Sequence, residues 1–273
     1  MRTKNLSVTR PDHLNICQRV NLIIKKYKKN DTFVVAVSGG SDSLALVSII
    51  KNLIQENKYK FFFAIVDHNL RKKSAAEALS VKRLLSKYGI NLTILKNKKK
   101  IDRNIQKNAR EIRYNLLEKF CKKKKAKSLI VAHHQDDQVE TFLIRLSRGS
   151  GVEGLSSMHE MTILKKGTSL IRPLLDFKKD ELLQYATKHK IKWIEDDSNN
   201  NLKFSRNALR HEVFPQLKKI SPSFYKSFNK ISGEANKTKT ILFEIAEDDY
   251  KNIGAQTSGI NRLELNRLSK ARQ

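Results

Sequence analysis

The chain has 273 residues, 39 per cent of them hydrophobic, which is enough for one large core or a main core with an appendage. Its 55 lysines and arginines against 27 acidic residues give a net charge of +28, so nucleic acid is the first expected partner and an anionic membrane surface the second. No apolar run is long enough to span a membrane, no signal peptide is expected, and the 2 isolated cysteines fit a reducing cytoplasm rather than a disulfide scaffold.

Short β-rich apolar runs alternate with helical stretches through the first half of the chain. The predicted strands cover 33–37, 61–66, 92–95 and 129–132, and the predicted helices cover 44–54, 74–88, 105–120 and 136–146. Consecutive β–α units predict an α/β fold, with a parallel sheet and helices on both faces. Because ligands of such sheets gather at the carboxyl ends of the strands, the informative residues should follow Val37, Val66 and Ala132.

The alternation fades after Arg148. An extended piece over 170–175 and a helix over 178–189 precede further helices, which Pro215 and Pro222 interrupt. We therefore predict a catalytic domain over 1–218 and a small, mostly helical C-terminal region over 219–273. The last residues carry no clear stop signal, so we expect either a naturally short form or a chain from which a following segment is missing.

The strongest local signal is Ser38-Gly39-Gly40-Ser41-Asp42-Ser43, here called the SGGSDS loop, between a predicted strand and a predicted helix. Two glycines permit a tight turn whose N–H groups converge on an anion, and the helix start adds further free N–H groups. The three serine hydroxyls can donate to phosphate oxygens, and Asp42 can hold a metal ion or its water shell. An ordinary capped turn is the plainer interpretation, but the flanking strand and the hydroxyls favour phosphate binding. No Gly-Lys-Ser/Thr follows, which excludes a Walker A loop.

Two more polar clusters follow predicted strands, at Asp67–Arg71 and at His133–Thr141. On a helix, Asp136, Asp137 and Glu140 would share one face. Crowded carboxylates repel one another unless a cation lies among them, and Mg²⁺ with ATP or a substrate ammonium would supply it. Acidic capping of a helix explains one or two of these side chains, but not two histidines and three acids together.

These motifs together resemble those of the tRNA(Ile)-lysidine synthases, which belong to the N-type ATP pyrophosphatases of the PP-loop superfamily, with an adenine nucleotide hydrolase-like fold. The family patterns SGGxDS, DHxLR and HHxDDxxET all occur in this order. The resemblance continues through Ala109–Tyr114, Arg148–Gly151, Ile171–Leu175, Asp197–Asn199 and Arg206–Arg210, and it covers roughly 31 to 220.

The resemblance implies an ATP-dependent ligase that acts on the isoleucine tRNA with a CAU anticodon. In that reaction the C2 oxygen of the wobble cytidine attacks the α-phosphorus of ATP, pyrophosphate leaves, and free lysine then displaces AMP to form lysidine. ATP and Mg²⁺ are the implied cofactors. A cytoplasmic location, a homodimer as an allowed state, and a tRNA-binding role for 219–273 are also implied.

The same resemblance assigns roles to individual residues. The ATP-binding residues would be Ser38, Gly39, Gly40, Ser41, Asp42, Ser43 and His68. The catalytic residues would be Asp42, Asp136, Asp137 and Glu140; the first three would position Mg²⁺, and Asp137 and Glu140 would hold the lysine ammonium. Contacts to phosphate or tRNA would come from Arg110, Arg113, Arg206, Asn207 and Arg210, although solvated helix arginines are a plainer interpretation of the first two.

Three alternatives stay open. A tRNA thiolase of the same superfamily would use catalytic or cluster-binding cysteines, which the positions of Cys17 and Cys121 do not support. A synthetase of the GMP synthetase type would need an ammonia source, and this chain has no glutaminase domain. A non-catalytic basic RNA-binding protein could keep the fold, but the intact acidic residues argue against it.

Overall fold

The computed structural model describes residues 15–28, 30–56, 59–69, 73–98, 103, 105–156, 158–194, 205–253 and 261–273. Leu70, Arg71 and the predicted motif at 197–199 lie outside the described residues. The chain divides into a first unit of Met1–Gln138 with Met158–Asn201 and a second unit of Val139–Ser157 with Leu202–Gln273. The boundary near 218 falls inside the second unit, and the assignment of 1–218 and 219–273 to separate functional domains stays a prediction.

The described elements follow the predicted alternation of strands and helices. The strands are β1 Thr32–Val37, β2 Lys60–Asp67, β3 Leu92–Lys96, β4 Ser128–Ile130, β5 Met161–Ile163 and β6 Ser169–Ile171. The helices are α1 Ile16–Lys25, α2 Ser41–Glu56, α3 Ser74–Ser86, α4 Ile105–Lys123, α5 Gln135–Leu146, α6 Val152–Leu155, α7 Lys179–Lys188, α8 Ser205–Ala208, α9 Phe214–Ile220, α10 Phe224–Asn252 and α11 Arg262–Arg267, with a π-helical segment over Leu209–Val213. None of the described helices is long and apolar enough to cross a membrane.

Within the described part of the first unit, six strands form one sheet in the order β3-β2-β1-β4-β6-β5. All neighbouring pairs are parallel except β5 and β6, so the predicted α/β fold is confirmed. The sequence did not predict β5, because three residues with two exposed side chains leave no periodic signal. The chain leaves β1 toward β2 on one side and returns to β4 on the other, which opens a crevice at the carboxyl ends of β1 and β4.

Both faces of β1 are buried, which explains its uninterrupted apolar sequence. Phe33 and Val35 face one side and pack among residues of α1, α2, α3 and α7, whereas Val34 faces the opposite side. On that side α4 covers the sheet through Leu117 and its neighbours in its C-terminal half. Ile105, at the start of α4, is 47% exposed and precedes the part of the helix that reaches the sheet.

The second unit is helical, as predicted for the C-terminal part. Its apolar cluster contains Val139, Phe214, Tyr225 and Phe228, and the rings of Phe142 and Phe228 meet edge to face with centroids 5.4 Å apart. The π-helical segment ends just before Pro215, which has no N–H to donate and whose ring clashes with the carbonyl four residues earlier in a regular α-helix.

Candidate active site

The SGGSDS loop leaves β1 in a backbone conformation that requires glycine at its second position. Gly39 has a φ of +95°, and a Cβ at this residue would lie 2.7 Å from Cγ2 of Val81. The carbonyl of Gly39 accepts a hydrogen bond from the N–H of Ile194 at 3.0 Å. The tight turn therefore follows both from the local sequence and from the close approach of α3.

The Ser43 hydroxyl holds the loop in shape from inside. Its oxygen accepts hydrogen bonds from the N–H groups of Ser38 at 3.2 Å and Gly39 at 3.1 Å, and it donates to the carbonyl of Gly40 at 3.0 Å. Two backbone N–H groups thus converge on one oxygen, as an anion-binding nest requires. The predicted donation from Ser43 to a phosphate stays a prediction, because this hydroxyl proton is used within the loop.

Asp42 in the first turn of α2 faces His134, which follows β4. The distance from Nε2 of His134 to Oδ2 of Asp42 is 3.4 Å, and the same nitrogen lies 3.6 Å from Oδ2 of Asp137. Burial raises the pKa of Asp42, but the hydrogen bond and charge of His134 outweigh it and hold this pKa below its usual value. Burial lowers the pKa of His134, but the charges of Asp137 and Asp42 outweigh it and raise this pKa above its usual value.

Asp136 and Asp137 also hold the start of α5 in place. Oδ2 of Asp137 accepts a hydrogen bond from the backbone N–H of His134 at 3.0 Å, which is half of a capping box. Oδ1 of Asp136 accepts from the N–H of Lys179 at 3.1 Å and so ties α5 to the first residue of α7. The predicted acidic cluster therefore exists, and two of its members also support the fold.

The donor set fits Mg²⁺ in the manner usual for phosphate substrates. Mg²⁺ is commonly bound through one or two carboxylates, with the remaining ligands supplied by substrate phosphates and water. Asp42 and Asp137 supply such carboxylates, and both lie beside Nε2 of His134. Among the described residues, no group of three or more histidine, cysteine, aspartate or glutamate side chains forms a preassembled metal cage.

The predicted ATP and RNA ligands His68, Arg110 and Arg113 belong to one neighbourhood. Burial, and then the charge of Arg113, lowers the pKa of His68. The guanidinium carbons of Arg110 and Arg113 lie 5.1 Å and 5.4 Å from the ring centroid of Tyr114. Sequence reasoning missed Arg172, which is buried in this region; only its place in the motif Ile171–Leu175 could have indicated it.

Glu140 lies in the second unit and is fully buried there. Its carboxylate pairs with Arg210 and lies 3.8 Å from Nε of Arg206, while Arg206 also donates to Oγ1 of Thr141 at 3.4 Å. Asn207, in the same motif, is buried. The predicted motif residues are thus brought together around Glu140, and their roles toward lysine and tRNA stay predictions.

Comparison with known protein families decides the affiliation of this arrangement. A family model described as a PP-loop domain matches residues 13–217. The chain belongs to the PP-loop domain family. The SGGSDS loop after β1 is the glycine-rich loop that the resemblance led us to expect of a PP-loop protein, and it stands at the sheet's switch point.

Curated relatives refine this family affiliation. The tRNA(Ile)-lysidine synthase of Wolbachia pipientis wMel is 45% identical over 185 residues, which are 67% of this chain and 43% of the relative. The tRNA(Ile)-lysidine synthase of Nitrosomonas europaea is 33% identical over 247 residues, which are 89% of this chain and 52% of the relative. The predicted resemblance is thereby confirmed, and the chain spans about half the length of these relatives.

A solved structure supports the PP-loop fold. The U34-tRNA thiolase NcsA from Methanococcus maripaludis, solved with its 4Fe-4S cluster, superposes with a TM-score of 0.67 at 18% identity, over 82% of this chain and 78% of that one. At this identity the likeness concerns the fold alone. In this chain Cys121 is buried, Cys17 is half-buried, and neither is in a disulfide.

Proposed function

We propose that this chain carries the catalytic part of a ligase that converts the wobble cytidine of CAU-anticodon isoleucine tRNA to lysidine, with ATP and lysine as co-substrates. The observation that carries the proposal is the meeting of the SGGSDS loop with the acidic start of α5 at the switch point between β1 and β4. There Oδ2 of Asp42 lies 3.4 Å from Nε2 of His134. Similarity to curated tRNA(Ile)-lysidine synthases supports the choice of reaction.

In the first step the loop would bind the phosphates of ATP. The N–H groups at the N-terminus of α2 would offer donors to phosphate oxygens without a charged side chain, while Ser43 holds the loop in its tight turn. Asp42 and Asp137, with Asp136 nearby, would hold Mg²⁺, which supplies charge neutralisation at the phosphates. The C2 oxygen of cytidine attacks the α-phosphorus, the bond to the β-phosphate oxygen breaks, and pyrophosphate leaves.

In the second step the amine of lysine attacks C2 of the activated base and expels AMP. A carboxylate near the amine would hold its ammonium form and accept a proton before attack. Asp137 is proposed for this role because it lies beside His134 and Asp42 at the start of α5, whereas Glu140 is paired with Arg210. For Glu140 to bind the lysine ammonium, its carboxylate would have to contact Arg210 and the ammonium at the same time.

The tRNA would be bound chiefly through its phosphates. A net charge of +28 favours association with a polyanion, and Arg110, Arg113, Arg206, Asn207 and Arg210 are the proposed contacts. The region 219–273 would begin a tRNA-binding part. An anticodon base that is already unstacked needs little free energy to enter a crevice such as the one at the carboxyl edge of this sheet. We place the reaction in the cytoplasm, with a homodimer as a further prediction.

The thiolase alternative is not favoured by the chemistry of the cysteines. Burial, and then the charge of Glu118, raises the pKa of Cys121 to about 12, so the thiol stays protonated at neutral pH. Cys17 lies on α1, with its sulfur 3.6 Å from the hydroxyl of Tyr185. The described cysteines and histidines form no metal-binding group that would hold a cluster.

The decisive experiment is incorporation of radiolabelled lysine into CAU-anticodon isoleucine tRNA, with and without ATP. Asp42→Asn retains the side chain's size and should abolish labelling, whereas Asp248→Asn, at an exposed position of α10, should leave it intact. ATP-dependent labelling that only the first variant loses supports the reaction and the site. Pyrophosphate release without labelling would support the reaction with ATP, and it would show that lysine or this tRNA is not the substrate.

A further inference from the structure

Beyond the loop and the acidic residues, the first unit contains a cluster of basic side chains around Tyr114. Arg110 is exposed, Arg113 is half-buried and Arg172 is only 6% exposed, so the three lead from the surface inward. The guanidinium groups of Arg110 and Arg113 lie over the ring of Tyr114 at 5.1 Å and 5.4 Å. We call Arg110, Arg113, Tyr114, His133 and Arg172 the arginine cluster.

The guanidinium group of Arg172 is held by hydrogen bonds at Nη1, whereas its Nε makes no hydrogen bond to a described residue. Its Nη1 donates to the carbonyl of His159 and to Oγ1 of Thr162, both at 2.8 Å. Its Nε is buried and has no hydrogen-bond partner among the described residues. Burial lowers the pKa of Arg172 to about 10, which still leaves it charged at neutral pH. A rigidly held cation therefore presents a free donor inside the protein.

Two more buried atoms of the cluster share this condition. The hydroxyl of Tyr114 and Nδ1 of His133 are buried without a hydrogen-bond partner in the described part of the chain. Such atoms are rare in folded proteins, because each one gives up its hydrogen bonds to water on burial. Burial lowers the pKa of His133 to about 3, so its ring is neutral and one of its nitrogens can donate.

In the described part of the chain, the arginines of the cluster have no acidic ion-pair partner. Among the described residues, no carboxylate forms an ion pair with Arg110, Arg113 or Arg172. The charge of Asp137 acts on the pKa of His133. The carboxylate of Asp137 contacts His134, accepting a hydrogen bond from its backbone N–H and lying 3.6 Å from its Nε2. Three cations and unsatisfied donors, with no paired acid among the described residues, suit an anion supplied by a ligand.

We propose that Arg172, Tyr114 and His133 form a phosphoryl-oxyanion subsite, with Arg113 and Arg110 at its entrance. The planar guanidinium of arginine and a phenolic hydroxyl are donors suited to phosphate oxygens. The position of His133 directly after β4 puts the subsite at the carboxyl edge of the sheet, where the SGGSDS loop also begins. The oxyanion comes either from the polyphosphate of ATP or from a phosphodiester of the RNA, and this part of the inference rests on the proposed function.

Tyr114→Phe tests the subsite, because it deletes only a hydroxyl that the fold does not use. Affinities for inorganic pyrophosphate with Mg²⁺, and for a CAU anticodon stem-loop RNA without nucleotide, are measured by calorimetry. The variant should keep the melting temperature of the wild type and bind one of the two ligands about tenfold more weakly, as the loss of a hydrogen bond to a charged group predicts. The ligand that is weakened identifies the source of the oxyanion.

A matched control and a second variant complete the design. Tyr88→Phe removes the hydroxyl of an exposed tyrosine and should change neither affinity. Arg172→Lys keeps the charge but loses the planar set of donors, and it should weaken the same ligand as Tyr114→Phe. Wild-type affinity of Tyr114→Phe for both ligands, or a melting temperature lowered by several degrees, would overturn the subsite. If Tyr114→Phe binds one ligand more weakly but the wild type incorporates no lysine, the proposed function is refuted and the subsite is still supported.

Discussion

Nε2 of His134 lies 3.4 Å from Oδ2 of Asp42, which joins the residue after β4 to the first turn of the helix after β1. Because β1 and β4 are neighbours in the sheet, the two residues meet at the switch point, at the carboxyl ends of these strands. The same nitrogen lies 3.6 Å from Oδ2 of Asp137, so one ring atom contacts both carboxylates proposed for Mg²⁺.

This contact predicts a pH-dependent contribution to stability in protein free of Mg²⁺ and nucleotide. The pKa of His134 is raised on folding, so its contribution is complete below the unfolded value of about 6.5 and is lost as the pH rises through the folded value. The pKa of Asp42 is lowered on folding, so its contribution is present above an unfolded value of about 3.9 and is lost as the pH falls through the folded value. His134→Asn should therefore lower the melting temperature most between these unfolded values.

Thermal unfolding of the wild type and of His134→Asn across a pH series measures this effect. The control is His211→Asn, at an exposed position. Its difference in melting temperature from the wild type should not be largest between these two pH values. A destabilisation by His134→Asn that grows steadily into the alkaline range would contradict an ion pair between His134 and Asp42.

Gly39→Ala should destabilise the first unit and abolish ATP binding. The new Cβ would meet Cγ2 of Val81 at 2.7 Å, and a φ of +95° strains any residue with a side chain, so a loss of about 1–3 kcal/mol is expected. Gly40→Ala is the matched control, because its Cβ would have no neighbour closer than 3.8 Å and should leave urea denaturation unchanged. Equal unfolding midpoints for the two variants would be inconsistent with this account.

The ion pair of the buried Glu140 with the half-buried Arg210 predicts a large effect of removing one partner. Glu140→Gln leaves a guanidinium without its carboxylate and should cost about 3–5 kcal/mol in the free energy of unfolding. The double variant Glu140→Met with Arg210→Met removes both charges and should recover much of the loss. Denaturant titrations of the single and double variants measure the coupling, and additive losses would argue that the two side chains act independently.

Cys121 should be inert in the folded protein. With its pKa raised to about 12 by burial, the thiol is protonated at pH 8 and should resist iodoacetamide until the protein unfolds. Mass spectrometry of the alkylated protein distinguishes Cys121 from the half-buried Cys17. Cys121→Ala should retain lysine incorporation, and loss of activity in a variant that still folds would revive a catalytic role for this cysteine.

The sequence by itself determined the type and place of most elements in the first unit. Strands such as β1 and β2 are apolar runs because both faces of the sheet are covered, and the SGGSDS loop follows from residues adjacent in the chain. Local signals of this kind need no knowledge of distant contacts. The position of the predicted polar clusters directly after strands could likewise be read without the structure, since parallel strands end at one edge.

Only the tertiary structure decided which residues meet. It set β4 beside β1, paired Asp42 with His134 and Glu140 with Arg210, and buried Arg172. It also added the antiparallel β5, whose three residues carry too little pattern to predict. Such contacts depend on strand order and on packing between segments far apart in the chain. Hydrophobic periodicity indicates only which face of an element is buried, and not which partner covers that face.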